Sequence, residues 1–173
     1  MIYTTEKDVN QALKKLTVVV DTREQVNEHI TGYFARRKIP YAVRKLDTGD
    51  YSATIGRYTA ERDLVIERKA NLDELAGNFT IGRQRLEDEF TRAKAEGIKV
   101  FLIIENASWN DVICGNYRSK LNPKSFLATL LSWQVRYDLT VNFCKPAETA
   151  QLIYGILYYH FREELKKGRI DIE

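Results

Sequence analysis

Little in this chain of 173 residues suggests sulfur, imidazole or membrane chemistry. Its two cysteines, Cys114 and Cys144, stand thirty residues apart with no histidine or second cysteine beside either. That spacing suits neither a zinc site nor a disulfide framework, and both read as small apolar side chains in a reducing compartment. His29 and His160 are equally isolated, which argues against a hydrolase built on histidine or cysteine. No apolar run approaches the length of a membrane-spanning helix. The opening segment MIYTTEKDVNQALKKL carries two acidic residues and no apolar core. It does not read as a signal peptide, so the cytoplasm is the expected compartment, or the nucleus in a eukaryote. Low-complexity tracts and repeats are missing as well. The net charge of +3 permits a polyanionic partner without demanding one.

What is present alternates between helix and strand. Thr4 or Thr5 can cap a first helix running to about Lys15, and residues 1–16 are expected to form a helical extension ahead of one domain over 17–173. TVVVD (17–21) is a β-branched run of the kind buried on both faces. A helix is predicted over 25–38 with Val26, Ile30, Tyr33 and Phe34 on its inner side, stopped by Pro40. YAVRKL (41–46) follows, then a strand from Tyr51 to Ile55, a turn at Gly56-Arg57 and a return ending in DLVIERK (63–69). Asn71 caps a short helix. A longer one places Leu86, Phe90 and Ala93 on one face and ends at Gly97. KVFLII (99–104) reads as a buried strand. Pro123 opens a helix through Trp133, VNFC (141–144) is a short strand, and Pro146 opens a last helix to about Lys167. Strands interleaved in this way predict a three-layer α/β/α sandwich with a mixed central sheet.

The anomaly is DLVIERK. Its apolar residues alternate across both faces, and it then ends in Glu67, Arg68 and Lys69, of which Glu67 and Lys69 share the side of Val65. A carboxylate and an ammonium at the end of a core strand have a desolvation cost unless they pair or bind something. Taken alone, the strand is read slightly better as holding a solvated ion pair than as a site. Asp50 begins the first arm of the hairpin, and Asp21 ends the buried run TVVV, where ligand-binding residues of α/β sheets commonly lie. Three strand-end carboxylates and one lysine match what a Mg²⁺-dependent phosphodiesterase needs, since magnesium takes oxygen ligands and few protein carboxylates.

Gly49-Asp50, then Glu67-Arg68-Lys69, then Asp73 reproduce the pattern GD…ERKxxxD. In this the chain resembles the XPF-type structure-specific endonucleases of the PD-(D/E)XK, restriction-endonuclease-like superfamily. VVVDTRE (18–24), Gly82-Arg83 and VFLIIEN (100–106) resemble further segments, so that the similarity runs from about Val18 to Thr149. The resemblance implies a restriction-endonuclease-like fold and Mg²⁺-dependent hydrolysis of DNA phosphodiesters, with Mn²⁺ able to substitute. Cleavage at branched or flap-like structures in repair, recombination or replication is the task it implies. Asp50, Glu67, the main-chain carbonyl of Arg68 and Asp21 would hold the metal, and Lys69 would act on the attacking water. Arg23, Arg68 and Asp73 match positions needed for activity or for holding the site together. For Arg68 a structural pairing with Asp73 or Glu24 is an alternative to phosphate contact.

Arg83 and Arg85 at a helix start, and Arg118 and Lys120 in the loop GNYRSK (115–120), are the candidate phosphate contacts. The last helix is apolar around much of its girth, which suits burial or a partner. The family resemblance implies a homodimer or heterodimer through the nuclease domain. No segment resembles the family's tandem helix-hairpin-helix module or its helicase, so the expected form is a stand-alone domain like those of bacteria and phages. A catalytically silent DNA-binding or scaffolding domain of the same fold is the alternative function, and junction resolution or restriction a third.

Overall fold

The computed structural model describes residues 5–170. The expected cap at Thr4 lies outside that range, but Thr5 serves, its hydroxyl accepting the N–H of Asp8 at the start of α1 (Glu6–Leu13). The chain divides into two compact units, one of residues 1–65 with 150–173 and one of residues 66–149.

In the first unit, β1 (Leu16–Val20) is buried along nearly its whole length, as its β-branched run requires. It pairs in parallel with β2 (Tyr41–Val43), Val18 opposite Tyr41, and antiparallel with β3 (Tyr51–Ile55), Val20 opposite Tyr51. Only the first half of YAVRKL is strand, and it is an exposed edge. Beyond it the chain leaves the sheet after Arg44 N–H donates to the carbonyl of Val20. Helix α2 (Glu28–Arg37) buries Ile30 and Phe34 as expected. Its start is a correction. Val26 is 78% exposed at φ 54°, outside the helix. The residues after Asp21 fold into a turn instead, with Glu24 N–H bonded to the Asp21 carbonyl and the Asn27 side chain bonded to the carbonyl of Glu24. Tyr33 is half-buried, its ring edge-on to Phe34.

The hairpin return is also broken. After the Gly56-Arg57 turn, β4 (Tyr58–Thr59) pairs briefly with β3, a single 3₁₀ turn (Ala60–Arg62) intervenes, and only then does β5 (Leu64–Lys69) begin. Its first residue is tied to β3 through the Ser52 hydroxyl, which donates to the carbonyl of Leu64.

The second unit begins inside β5. It adds α3 (Leu72–Phe79), α4 (Arg83–Ala95), β6 (Lys99–Glu105), α5 (Trp109–Cys114), α6 (Pro123–Tyr137) and β7 (Thr140–Cys144). Strands β6 and β7 are parallel, Ile103 opposite Asn142. The strand order is β2-β1-β3-β5-β6-β7 with β4 beside β3, a mixed sheet of seven strands. Helix α4 buries Leu86, Phe90 and Ala93, and Gly97 ends it at φ 75°. Helix α6 runs past Trp133 to Tyr137, because its buried stripe Phe126, Leu130, Trp133 and Tyr137 continues at helical spacing. Trp133 lies edge-on to Phe79 and Phe90 and donates its indole N–H to Glu87. Helix α5 had no counterpart in the sequence reading. Ser108 caps it by accepting Asp111 N–H, and Gly115 closes it at φ 74°. Cys114, at its end, is exposed rather than a core residue, while Cys144 is buried. Helix α7 (Pro146–Lys166) buries Ile153, Leu157, Phe161 and Leu165 at four-residue spacing and leaves Tyr159 62% exposed.

Candidate active site

Asp21 and Asp50, both in the first unit, lie where the end of β1 meets the start of β3. The Asp21 N–H donates to the Asp50 carbonyl at 2.8 Å, extending the β1–β3 ladder by one pair. Gly49, at φ 73°, makes the turn that delivers Asp50 to the strand start. Asp21 is 1% exposed. One carboxylate oxygen accepts Arg23 N–H at 2.8 Å and Arg23 Nε at 2.7 Å. The other accepts Leu46 N–H at 2.5 Å and Arg23 Nη2 at 3.3 Å. Arg23 Nη2 also reaches the carbonyl of Leu46. The chain that leaves β2 therefore folds over Asp21, and Arg23 is its counter-ion. Burial pushes the Asp21 carboxyl up, but the Arg23 side chain and the N–H groups of Leu46 and Arg23 outweigh it and hold the group below its ordinary value.

The sign of the pH dependence follows. Unfolded, the group titrates near 3.9; folded, it titrates lower. Its stabilisation is complete above the unfolded value and drains away as pH falls through the folded one. Asp21→Asn should cost about 1–3 kcal/mol at neutral pH. It should also shallow the acid limb of a stability–pH profile measured by urea unfolding; an unchanged acid limb would refute this reading of Asp21.

In the second unit, Glu67, Arg68 and Lys69 at the end of β5 are 7%, 7% and 6% exposed. The two-residue period puts Glu67 and Lys69 on one side, and Lys69 Nζ donates to Glu67 Oε1 at 2.7 Å. Glu74 of α3 lies 3.6 Å from the same ammonium and accepts the Ala70 N–H. Its own N–H is held by the capping Asn71, and the two bonds fix the first turn of α3 beside the strand end. Arg68 faces the other way and meets Glu105, the last residue of β6, through two bonds of 3.0 and 2.8 Å. Glu105 also accepts the hydroxyl of Thr149 at 2.6 Å. Asp73 is a further correction: it bonds not to Arg68 but to the loop of Arg118, accepting the N–H groups of Arg118 and Ser119 and the Arg118 Nε. Glu74, Glu105 and Thr149 escaped the sequence reading. A signal existed for Glu105, since β6 repeats the pattern of β5, a buried apolar strand ending in charge.

Among the candidate phosphate contacts, Arg83 is partly committed, paired with Glu87 at 3.0 Å and stacked 5.6 Å from the Trp133 ring. Arg85, Arg118 and Lys120 are exposed. Among the described residues no group of three or more Asp, Glu, His or Cys side chains gathers as a metal cage. An oxygen-only set of one or two carboxylates and a main-chain carbonyl still fits a hard divalent ion that retains water ligands.

Comparison with known proteins agrees with this organisation. The ERCC4 domain model matches residues 20–156. The structure of XPF from Aeropyrum pernix superposes with a TM-score of 0.64 at 21% identity, covering 86% of this chain and 66% of that one. XPF from Aeropyrum pernix in complex with DNA gives a TM-score of 0.59 at 20% identity over 90% of this chain and 67% of that one. No curated protein matches. The α/β fold with its mixed sheet is thus restriction-endonuclease-like, as expected. With a family model spanning most of its length and the motif residues buried at the strand end, the chain belongs to the ERCC4-domain family.

Proposed function

We propose that this protein is a divalent-metal-dependent DNA endonuclease, acting on branched or flap-like structures. The observation that carries the reading is the buried, co-facial Glu67–Lys69 pair within the family's motif. An ion pair whose only task was stability could be placed at the surface at far lower desolvation cost. Asp50, Glu67 and the carbonyl of Arg68 are the proposed ligands of Mg²⁺ or Mn²⁺. Asp21, with both oxygens already accepting N–H bonds, assists through water or by fixing Asp50. When bound, the ion supplies charge stabilisation to the scissile phosphate and acidifies water. Lys69 orients the nucleophilic water and offsets charge developing on the phosphate. Arg85, Arg118 and Lys120 contact phosphates without reading bases. The exposed Tyr159 on α7 supports a proposed dimer of such domains, to be checked by sedimentation at micromolar concentration.

The test is incubation with flap, fork, Holliday-junction and plain duplex DNA in Mg²⁺ or Mn²⁺. Cleavage of branched forms ahead of plain duplex is expected. Binding without cleavage across all metals and substrates would instead favour a silent scaffold of the same fold.

A further inference from the structure

Asp73 sits in the first turn of α3, four residues beyond Lys69, yet a distant loop occupies its carboxylate. Oδ1 accepts the N–H of Arg118 at 2.8 Å and of Ser119 at 2.7 Å, and Oδ2 accepts Arg118 Nε at 3.1 Å. The loop is braced elsewhere too. Asn116 bonds to Asp111 through its main chain at 2.9 Å and its side chain at 3.0 Å. The Tyr117 hydroxyl donates to the Leu121 carbonyl, and Leu121 N–H donates to the Ser119 hydroxyl. Gly115 at φ 74° passes so close to Pro123 that a Cβ would lie 2.7 Å from its ring. A main chain this constrained nonetheless offers cations to solvent: Arg118 is 89% exposed along its side chain, and Lys120 is exposed. No partner for the Nη nitrogens of Arg118 occurs among the described residues. Fixed backbone with free cationic ends is what a pre-formed anion contact requires, because the ordering cost is met before the ligand arrives.

We propose that Asp73 is a positioning residue, clasping the loop 115–120 so that Arg118 and Lys120 present a ready-made pair of phosphate contacts to duplex DNA. The DNA half rests on the nuclease reading above; the clasp stands on the hydrogen bonds alone. A catalytic acid at this position would lose its role equally on conversion to Asn or Ala. A clasp would not, because the Asn carbonyl oxygen still accepts both main-chain N–H groups while losing the Arg118 side chain.

Two measurements on the full chain decide it. The first is limited trypsin digestion of the folded protein, which cuts after Arg118 and Lys120 only when the loop opens. Asp73→Ala should be nicked there roughly tenfold faster than the wild type, since cleavage tracks the open population, and Asp73→Asn should fall between them. The second is anisotropy of labelled fork DNA with Ca²⁺ in place of Mg²⁺. Asp73→Ala should bind about tenfold more weakly with a salt slope smaller by about one to two, and Arg118→Ala/Lys120→Ala should match it. Wild-type nicking rates and DNA affinity in Asp73→Ala, with cleavage lost alike in Ala and Asn, would overturn the proposal. Faster nicking at unchanged affinity would overturn its DNA half. If the wild type binds no DNA at all, the nuclease reading fails, and the nicking ratio still judges the clasp.

Discussion

Removing Lys69 should all but abolish DNA cleavage. Lys69→Met keeps the stem that packs at the end of β5 and deletes the charge, so the expected loss is about 10²–10³-fold in single-turnover rate. Glu67→Gln preserves shape and an acceptor for the ammonium but removes a proposed metal ligand; a fall of about 10²–10⁴-fold is expected, only partly recovered at high Mn²⁺. Stability should move differently. Lys69→Met leaves a carboxylate that is 7% exposed without the ammonium 2.7 Å away, so it should destabilise strongly. Glu67→Gln should destabilise much less. Rate and stability measured on both variants therefore separate catalysis from scaffolding. Full cleavage by either folded variant would remove this pair from the mechanism.

The second large effect is thermodynamic. Arg68 and Glu105 are 7% and 2% exposed and meet through two parallel bonds. Truncating one partner strands a buried charge, which costs about 3–5 kcal/mol. For a chain of this size that corresponds to a melting point lower by roughly 6–20 °C. Arg68→Lys should not rescue it, since a point charge cannot reproduce the fork that Glu105 accepts. In a double-mutant cycle, Arg68→Met with Glu105→Gln should be less damaging than the sum of the singles, by about 0.5–3 kcal/mol. Arg68→Ala melting within a degree or two of wild type would show that the pair holds nothing together. Loss of cleavage by Arg68→Met at temperatures where it stays folded is expected to be smaller than that of Lys69→Met, because Arg68 acts through the strand and its carbonyl.

Much of this was legible because it is periodic or local. The alternation in β5 placed Glu67 with Lys69 and sent Arg68 to the other side, as the structure has it. The stripe Leu86, Phe90 and Ala93, the caps at Asn71 and Gly97, and the helix starts at Pro123 and Pro146 were equally readable. What escaped was set by distance along the chain. Nothing near Arg68 announces Glu105, and nothing near Asp73 announces Arg118, because a two-residue period fixes a face and not the partner across it. Val26 misled because its apolar side chain continued a helical spacing, while the turn bonds of Glu24 and Asn27 took the backbone out of the helix. Helix α5, with six residues, is too short to carry a periodic signal, although Ser108 and Gly115 bracket it.

The division of the chain has a consequence for biosynthesis. The unit of residues 66–149 is one uninterrupted stretch, whereas the other needs both residues 1–65 and residues from 150 onward. On a ribosome, the continuous unit can be completed while the residues from 150 onward are still inside the exit tunnel, and the discontinuous one cannot. Leu64 and Val65, the first two residues of β5, belong to that later unit. A nascent chain stalled at residue 149 would therefore hold Glu67, Arg68 and Lys69 in a complete unit while Leu64 and Val65 still await the rest of theirs.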